Sequence, residues 1–252
     1  MTKKSFYDIM VTNILQCGVT VAKNKELTVY KRDDMIQRSR FDLTLREQRL
    51  VLFAISKIKP HDTSDTLYEF NMRDMCKIIG TKDESYTRIK SIAKTLSDKS
   101  WWVLSEDNVE SLVRWFSVFK IDYSTNTIML KFHEEVMPYL VELVKQHKYY
   151  TSYGIGDILP MRHQSSPRLY EILKSYSKNN CSWYFDAEQL KYLMNCQNYS
   201  RWVDFKRRIL EPAVEEINNM TPMIVKYETI SECRKVIGVK FYMNDVSGSL
   251  LI

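Results

Sequence analysis

Glycine and proline are both scarce in this sequence, with six residues of each among 252. This composition leaves little room for long flexible linkers, so we expect most of the chain to fold. The length suits one large domain or, more usually, two domains of ordinary size. The five cysteines form no Cys-x-x-Cys pair and are odd in number. They indicate free thiols in a reducing compartment and disfavour a disulfide framework.

Long apolar runs are also missing. The longest, around Leu50–Ile55, is far too short to span a bilayer. Lys3 and Lys4 are followed by a segment that polar residues interrupt, so we predict no signal peptide. From these features we expect a cytoplasmic protein.

The known signatures of catalysis and of metal binding do not occur. The sequence contains no GxxxxGK[ST] motif, and its four histidines form no HxH or HExxH pair and no cluster with cysteines. We therefore predict no metal site, no cofactor and no enzymatic activity. The missing HxH pair also argues against a DNA-nicking initiator, which holds a metal with paired histidines.

The charge balance permits a polyanionic partner without requiring one. The chain has 37 basic and 31 acidic residues, a net charge of +6. Residues 151–252 carry 13 basic and 11 acidic residues, and residues 1–150 carry 24 and 20. Because neither half is a basic tail, a signal for nucleic-acid binding must come from local placement.

The clearest helical pattern lies between Tyr199 and Thr221. Basic residues open this stretch, and apolar residues then recur every four positions, so that the outward face is basic first and acidic later. We predict a helix whose first two turns can contact a polyanion; a solvated surface face is the alternative interpretation. Pro212 removes a backbone donor and should bend this helix near Arg208. The basic residues are Arg201, Lys206, Arg207 and Arg208.

The first half of the chain has the element order of a winged helix. A capping box at Thr44–Glu47 opens a helix, and a short strand and two further helices follow. Two extended segments around a Ser-Thr-Asn turn then indicate a β-hairpin. The predicted elements after the first helix are strand Tyr68–Asn71, helices Met72–Ile79 and Ser85–Ser100, and strands Ser111–Tyr123 and Thr127–Phe132.

The second half repeats this plan. The segment that begins at Phe185 aligns with the one that begins at Phe70, 115 residues earlier, and both run Phe, a capping Asp or Asn, then apolar residues at the same steps. We predict the α+β class, with two tandem pseudo-symmetric winged-helix domains. We predict an N-terminal extension over residues 1–40, which ends in a polar connector (Lys31–Arg40). A first winged helix follows over residues 41–150, with a bridging helix from residue 133. The second winged helix covers residues 151–252.

These motifs resemble those of the iteron-binding plasmid replication initiator (Rep) family. The similar stretches are SPRLYEILKSYS, FDAEQLKYLM, YSRWVDFKRRILEPAVEEINNMTPMIVKYE and, near the start, RFDLTLREQRLVLFAISKI. The resemblance implies two winged helices on double-stranded DNA at repeated origin sequences. It also implies monomers that initiate replication, homodimers that bind an operator inverted repeat and repress their own gene, and host replication proteins such as the replicative helicase as partners.

The resemblance also assigns DNA-binding residues. Arg201 and Arg208 point outward on the helical wheel, so we expect them at base edges, and we expect Arg207 at a phosphate. Lys206 falls on the apolar side of the wheel. The remaining candidates are Arg234 and Lys235 near the second hairpin tip, and Arg88, Lys90 and Lys94 in the first domain.

A dimer surface is expected in the first half. The strand-rich segment Trp101–Phe132 offers an edge and two aromatics, Trp102 and Trp115, which could instead fill the domain core. Two other functions stay open at this stage. A two-domain transcriptional repressor would use the same helices, and a structural adaptor would bind proteins through them.

Overall fold

The computed structural model describes residues 27–81, 86–104, 109–141, 143, 149–178 and 180–245. Within this part the chain divides into two compact units, residues 28–153 (the first unit) and residues 154–245 with Leu27 (the second unit). Each unit combines helices with strands, and the α+β class is confirmed. Of the extension predicted over 1–40, residues 1–26 lie outside the described residues.

The first unit begins with a strand and a short helix, continues with three helices around one strand, and ends in strands. The helices are α1 (Asp33–Arg38), α2 (Leu45–Ile55), α3 (Met72–Ile79) and α4 (Tyr86–Ser97). The strands are β1 (Thr28–Arg32), β2 (Tyr68–Asn71), β3 (Trp101–Leu104), β4 (Glu110–Val113), β5 (Phe116–Asp122), β6 (Thr127–Phe132) and β7 (Tyr150–Gly154). Strands β2, β6 and β5 form one sheet in that order, β3 pairs with β4, and β1 pairs with β7.

The capping signals predicted the first unit's helices well. The Thr44 hydroxyl accepts a hydrogen bond from the Glu47 amide, and the Glu47 carboxylate accepts one from the Thr44 amide, which completes the capping box of α2. The Asn71 side chain caps α3 by accepting from Arg73 N. Gly80 ends that helix in the left-handed region, at φ 71°. The order α2, β2, α3, α4 and hairpin β5–β6 is that of a winged helix.

The polar connector predicted over Lys31–Arg40 is wrong, because this segment forms the end of β1 and all of α1. Three of its charged residues, Lys31, Arg32 and Asp33, are buried. The Lys31 ammonium lies 5.7 Å from the centre of the Trp115 ring, and the Asp33 carboxylate accepts a hydrogen bond of 2.6 Å from the Thr151 hydroxyl.

The strand predicted over Ser111–Tyr123 is two strands, β4 and β5, in different sheets. They separate at Trp115, whose side chain is 1% exposed. The Trp115 ring lies 5.1 Å from the Trp101 ring and 5.0 Å from the Phe41 ring. Burial of this indole turns the chain inward between the strands.

The bridging helix predicted from residue 133 to residue 150 is also wrong in the described residues. A single 3-10 turn, Met137–Tyr139, occupies its first part, and β7 begins at Tyr150. Pro138 lacks an N–H group, so a helix that began at residue 133 would lose the hydrogen bond from residue 138 to the Glu134 carbonyl. Residues 142 and 144–148 lie outside the described residues.

The second unit repeats the plan of the first. It contains α5 (Ser166–Ser177), β8 (Ser182–Asp186), α6 (Ala187–Leu193), a composite helix over residues 202–220, and strands β9 (Met223–Glu232) and β10 (Lys235–Asp245), in the sheet order β8-β10-β9. Phe70 and Phe185 are both buried, and Asn71 and Asp186 both cap the following helix. Asn195, at φ 54°, takes the place of Gly80 after the second copy. The two-winged-helix prediction is confirmed.

The composite helix consists of three consecutive segments. They are α7 (Trp202–Phe205), a π-helical turn (Lys206–Leu210) and α8 (Glu211–Met220). Its inner face is formed by Phe205, Ala213 and Ile217, all 0% exposed. This face holds the helix on the core of the second unit and leaves the basic residues of its first half outside.

Candidate nucleic-acid interface

The N-cap and the basic half of the composite helix present three arginines to solvent. Arg201, Arg207 and Arg208 are exposed, while Phe205 and Ile209 on the opposite face are buried. The Arg201 Nε lies 3.5 Å from Asp204 Oδ2, and Arg207 Nη2 lies 3.6 Å from Asp204 Oδ1. Pairs this exposed contribute little stability. Both guanidinium groups can therefore exchange the carboxylate for an anionic ligand.

Lys206 occupies a different position from these arginines. Its side chain is 40% exposed, and its ammonium lies 3.5 Å from Glu211 Oε1. It therefore points toward the acidic part of the helix, consistent with its place off the basic face of the helical wheel.

The π-helical turn lies where Pro212 predicts a distortion. In the turn, the Glu211 amide donates to the Lys206 carbonyl, five residues earlier. Pro212 has no N–H group, so the Arg208 carbonyl cannot receive the hydrogen bond of a regular α-helix. The sequence indicated a bend near Arg208 but not its form. The extra residue of a π turn changes the direction in which the preceding side chains point.

The tip of the β9–β10 hairpin carries two further candidates, Arg234 and Lys235, both exposed. The two-residue turn consists of Cys233 and Arg234, at φ values of 47° and 69°. Such turns favour glycine or asparagine, because both central residues adopt the left-handed region. The tip therefore holds Arg234 in a backbone conformation that residues other than Gly, Asn and Asp rarely adopt.

In the first unit, α4 carries the three predicted cations. Arg88, Lys90 and Lys94 are exposed, while Ile89 and Ile92 are buried. Lys90 and Lys94 lie on the side of the helix away from these isoleucines, and Arg88 lies at the edge of the isoleucine face.

Two tyrosines outside the predicted site hold the start of α4 against the β5–β6 turn. The Tyr86 hydroxyl donates to Asn126 Oδ1 at 2.6 Å, and the Tyr86 and Tyr123 rings are 4.9 Å apart. The Lys90 ammonium lies 5.1 Å from the centre of the Tyr123 ring. No short motif signals these contacts, because the partners are far apart in sequence.

The other end of α4 is held by Glu47. Its carboxylate accepts hydrogen bonds from the Thr95 hydroxyl at 2.8 Å and from the Lys99 ammonium at 2.7 Å. Burial alone would raise the pKa of Glu47, but bonds from Lys99, the Thr44 amide and Thr95 outweigh it and hold the pKa below its ordinary value. One buried carboxylate therefore connects the start of α2 to the end of α4.

Two negative findings apply to the described residues. None of the helices there is long and apolar enough to cross a membrane. In the same part of the chain, no three His, Cys, Asp or Glu side chains are grouped as ligands of a metal ion would be.

Family models and known proteins match both units. The model described as initiator replication protein, WH1, matches residues 28–174, and the model described as initiator Rep protein, WH2, matches residues 186–243. A replication initiation protein of Escherichia coli is 22% identical over 212 residues, which are 79% of this chain and 64% of that protein. An uncharacterized 27.6 kDa protein of Escherichia coli is 28% identical over 100 residues, 39% of this chain and 40% of that protein.

A solved structure has the same fold. The crystal structure of the Pi initiator protein in complex with iteron DNA matches with a TM-score of 0.70 and 19% identity, over 87% of this chain and 98% of that chain. The two family models match the first and second winged helices in the order in which they occur here. The chain therefore belongs to the family of initiator replication proteins with a WH1 and a WH2 domain, the family that its motifs resemble.

Proposed function

We propose that this protein initiates plasmid replication by binding repeated origin sequences in double-stranded DNA. One observation carries the proposal: each unit presents exposed cations on the last helix of its helix-turn-helix, Arg201, Arg207 and Arg208 in one and Lys90 and Lys94 in the other. The likeness to an initiator solved on iteron DNA and membership in the initiator family support it.

The composite helix supplies most of the sequence reading in this proposal. Its basic half enters the major groove, where a guanidinium can form two hydrogen bonds with guanine. Arg208 and Arg201 contact base edges, and Arg207 contacts a phosphate. Asp204, which now lies between Arg201 and Arg207, gives up these pairs when DNA arrives. Arg234 and Lys235 at the hairpin tip contact the adjacent backbone.

The first unit mainly sets position and orientation. Its exposed cations, Lys90 and Lys94 together with Arg88, neutralise phosphates along the duplex. An ammonium is a point charge and lacks the planar fork of a guanidinium, so the two lysines distinguish bases poorly. Neither unit needs a catalytic group for this role, and we assign none.

A homodimer that represses its own gene is the second part of the proposal. Trp102 and Leu112 face each other across β3 and β4 and are 57% and 56% exposed. They offer an apolar surface in the first unit, while Trp115 is buried and takes no part. A symmetric dimer on this surface suits an operator inverted repeat. We place the protein in the cytoplasm, with host replication proteins such as the helicase as its partners.

Gel shifts on the DNA that flanks the gene test this function. We expect binding to tandem direct repeats spaced by about two helical turns, with an affinity that falls steeply as salt rises. A single operator without such repeats would indicate a transcriptional repressor. A flat dependence of the affinity on salt would indicate an adaptor that binds proteins.

A further inference from the structure

The segment just before α5 holds the composite helix on both sides of Pro212. His163 Nε2 lies 2.9 Å from the Arg208 carbonyl oxygen. The Glu216 carboxylate accepts hydrogen bonds from the Arg162 amide at 2.9 Å and from the His163 amide at 3.0 Å. Arg208 precedes the proline by four residues and Glu216 follows it by four. One short segment therefore contacts both the basic half of the composite helix and α8, which follows it.

The chemistry of the histidine contact follows from the proline. Pro212 cannot donate to the Arg208 carbonyl, which in a regular α-helix would receive its hydrogen bond from that residue. A carbonyl oxygen only accepts, so Nε2 of His163 carries the proton and donates it. Nδ1 is then an acceptor, and the Ser165 amide lies 3.4 Å from it. The imidazole thus replaces the backbone donor that the proline removes.

This contact lies at the residue that we assign to a base edge. Arg208 is part of the π-helical turn, and its exposed side chain points in the direction that this turn sets. Without the His163 donor, the Arg208 carbonyl would form its hydrogen bond with water or with another amide. The turn could then change its hydrogen-bond pattern and rotate the basic half relative to α8.

We infer that His163 is a positioning residue for sequence recognition, since its Nε2 fixes the π-helical turn and with it the direction of Arg207 and Arg208. The inference rests on the proposed function, because it assumes that these arginines read DNA. A base edge demands a defined direction, whereas a phosphate contact tolerates a shift. Loss of the donor should therefore reduce discrimination between sequences more than it reduces affinity for DNA as such.

Two polar variants of the full chain test the inference. His163→Gln retains an amide donor near the position of Nε2, while the side chain in His163→Asn is too short to reach the Arg208 carbonyl. His133→Ala, which removes a histidine of the first unit, is the control. The probes are a duplex selected from a random library by the unaltered chain and a scrambled duplex of equal length.

We expect His163→Asn to lower the ratio of the two affinities by about three- to tenfold, the effect of one hydrogen bond. His163→Gln should restore most of the ratio, and His133→Ala should leave it unchanged. Amide hydrogen exchange should accelerate at residues 206–214 in His163→Asn and stay slow at residues 215–220. Thermal melting of each variant shows that the fold is retained, and Ala at position 163 is avoided because it also removes packing.

Three results would overturn the inference. If the unaltered chain prefers the selected duplex and His163→Asn keeps the same affinity ratio, the contact does not position the arginines. An equal loss of the ratio in His163→Gln and His163→Asn would show that ring packing matters and the donor does not. Unchanged hydrogen exchange at residues 206–214 in His163→Asn would show that His163 does not fix the turn. A different result, an unaltered chain that prefers no sequence, would contradict the proposed function itself.

Discussion

The last helix of each winged helix, α4 in the first unit and the composite helix in the second, is its proposed recognition helix, and the two differ in the kind of cation that each presents. The composite helix carries three exposed arginines, and α4 carries Lys90 and Lys94 beside Arg88. A guanidinium recognises guanine with two directed hydrogen bonds, while an ammonium contacts any phosphate equally well. Specific recognition is therefore expected mainly from the second unit.

Arg208→Ala should weaken binding to the selected duplex by about 1–3 kcal/mol and binding to scrambled DNA much less, because it removes a base contact. Fluorescence anisotropy at fixed salt measures both affinities. Equal losses on both duplexes would place Arg208 at a phosphate and contradict its role in base recognition.

Lys94→Ala in the first unit is the matched control for that measurement. This change should weaken binding to both duplexes alike and lower the salt slope by about one phosphate contact. A changed sequence preference would show that the first unit also reads bases.

At the tip of the β9–β10 hairpin, the effect of a residue on stability can be measured separately from its effect on DNA binding. Cys233 and Arg234 adopt left-handed conformations that favour glycine. Arg234→Gly should therefore stabilise the chain by about 1 kcal/mol in urea denaturation while it weakens DNA binding. Cys233→Gly is the control, because it relieves similar strain and retains the cation. If Arg234→Gly leaves the affinity for DNA unchanged, the tip does not contact DNA.

Local signals predicted the elements that local chemistry determines. The capping box at Thr44, the capping residues Asn71 and Asp186, and the apolar spacing of α3 and α4 all agree with the structure. Each of these signals depends on contacts within a few residues along the chain, so the sequence alone contains them.

The features that the sequence did not predict depend on distant contacts. The break at Trp115 requires the rings of Trp101 and Phe41, and burial of Lys31 requires Trp115. For the candidate site, the residue types were predictable, but the π-helical turn and the His163 contact were not. Pro212 indicated where the helix would be distorted, while the partner that accommodates it lies 49 residues earlier.

The Glu47 carboxylate should make the stability of the first unit depend on pH. Its folded pKa is lower than its ordinary value of 4.5, so its stabilising effect is complete above that value and is lost as pH falls through the folded pKa. Glu47→Gln should cost about 1–3 kcal/mol at pH 7 and flatten the dependence of the free energy of unfolding on pH below 4.5. Urea denaturation between pH 7 and pH 3 measures both effects.

Lys99→Met is the companion variant, since it removes the ammonium that lies 2.7 Å from Glu47. It should raise the folded pKa of Glu47 and move the loss of stability to higher pH. An unaltered pH profile in both variants would show that Glu47 does not connect α2 to α4 energetically.

One chain with two recognition helices can occupy a direct repeat alone, whereas an inverted repeat needs a symmetric pair of chains. Leu112→Glu places a charge beside the exposed Trp102 on the β3–β4 surface. This variant should lower the dimer fraction in light scattering and weaken binding to the inverted repeat, while binding to the direct repeat stays unchanged.

Ile224→Glu is the control for the dimer surface, because Ile224 is 50% exposed but lies in the second unit. It should leave the dimer fraction as it is. If Leu112→Glu remains folded and loses both kinds of DNA binding in parallel, the proposed division between monomer and dimer is wrong.

Two recognition helices on one chain should contact a single duplex in two successive major grooves, and selection from a random DNA library tests this most directly. The unaltered chain, followed by footprinting of its selected duplex, should recover one enriched sequence and protect about two helical turns, roughly 20 base pairs. Recovery of no enriched sequence would contradict sequence recognition by the composite helix, and protection of less than one helical turn would contradict contact of both winged helices with DNA.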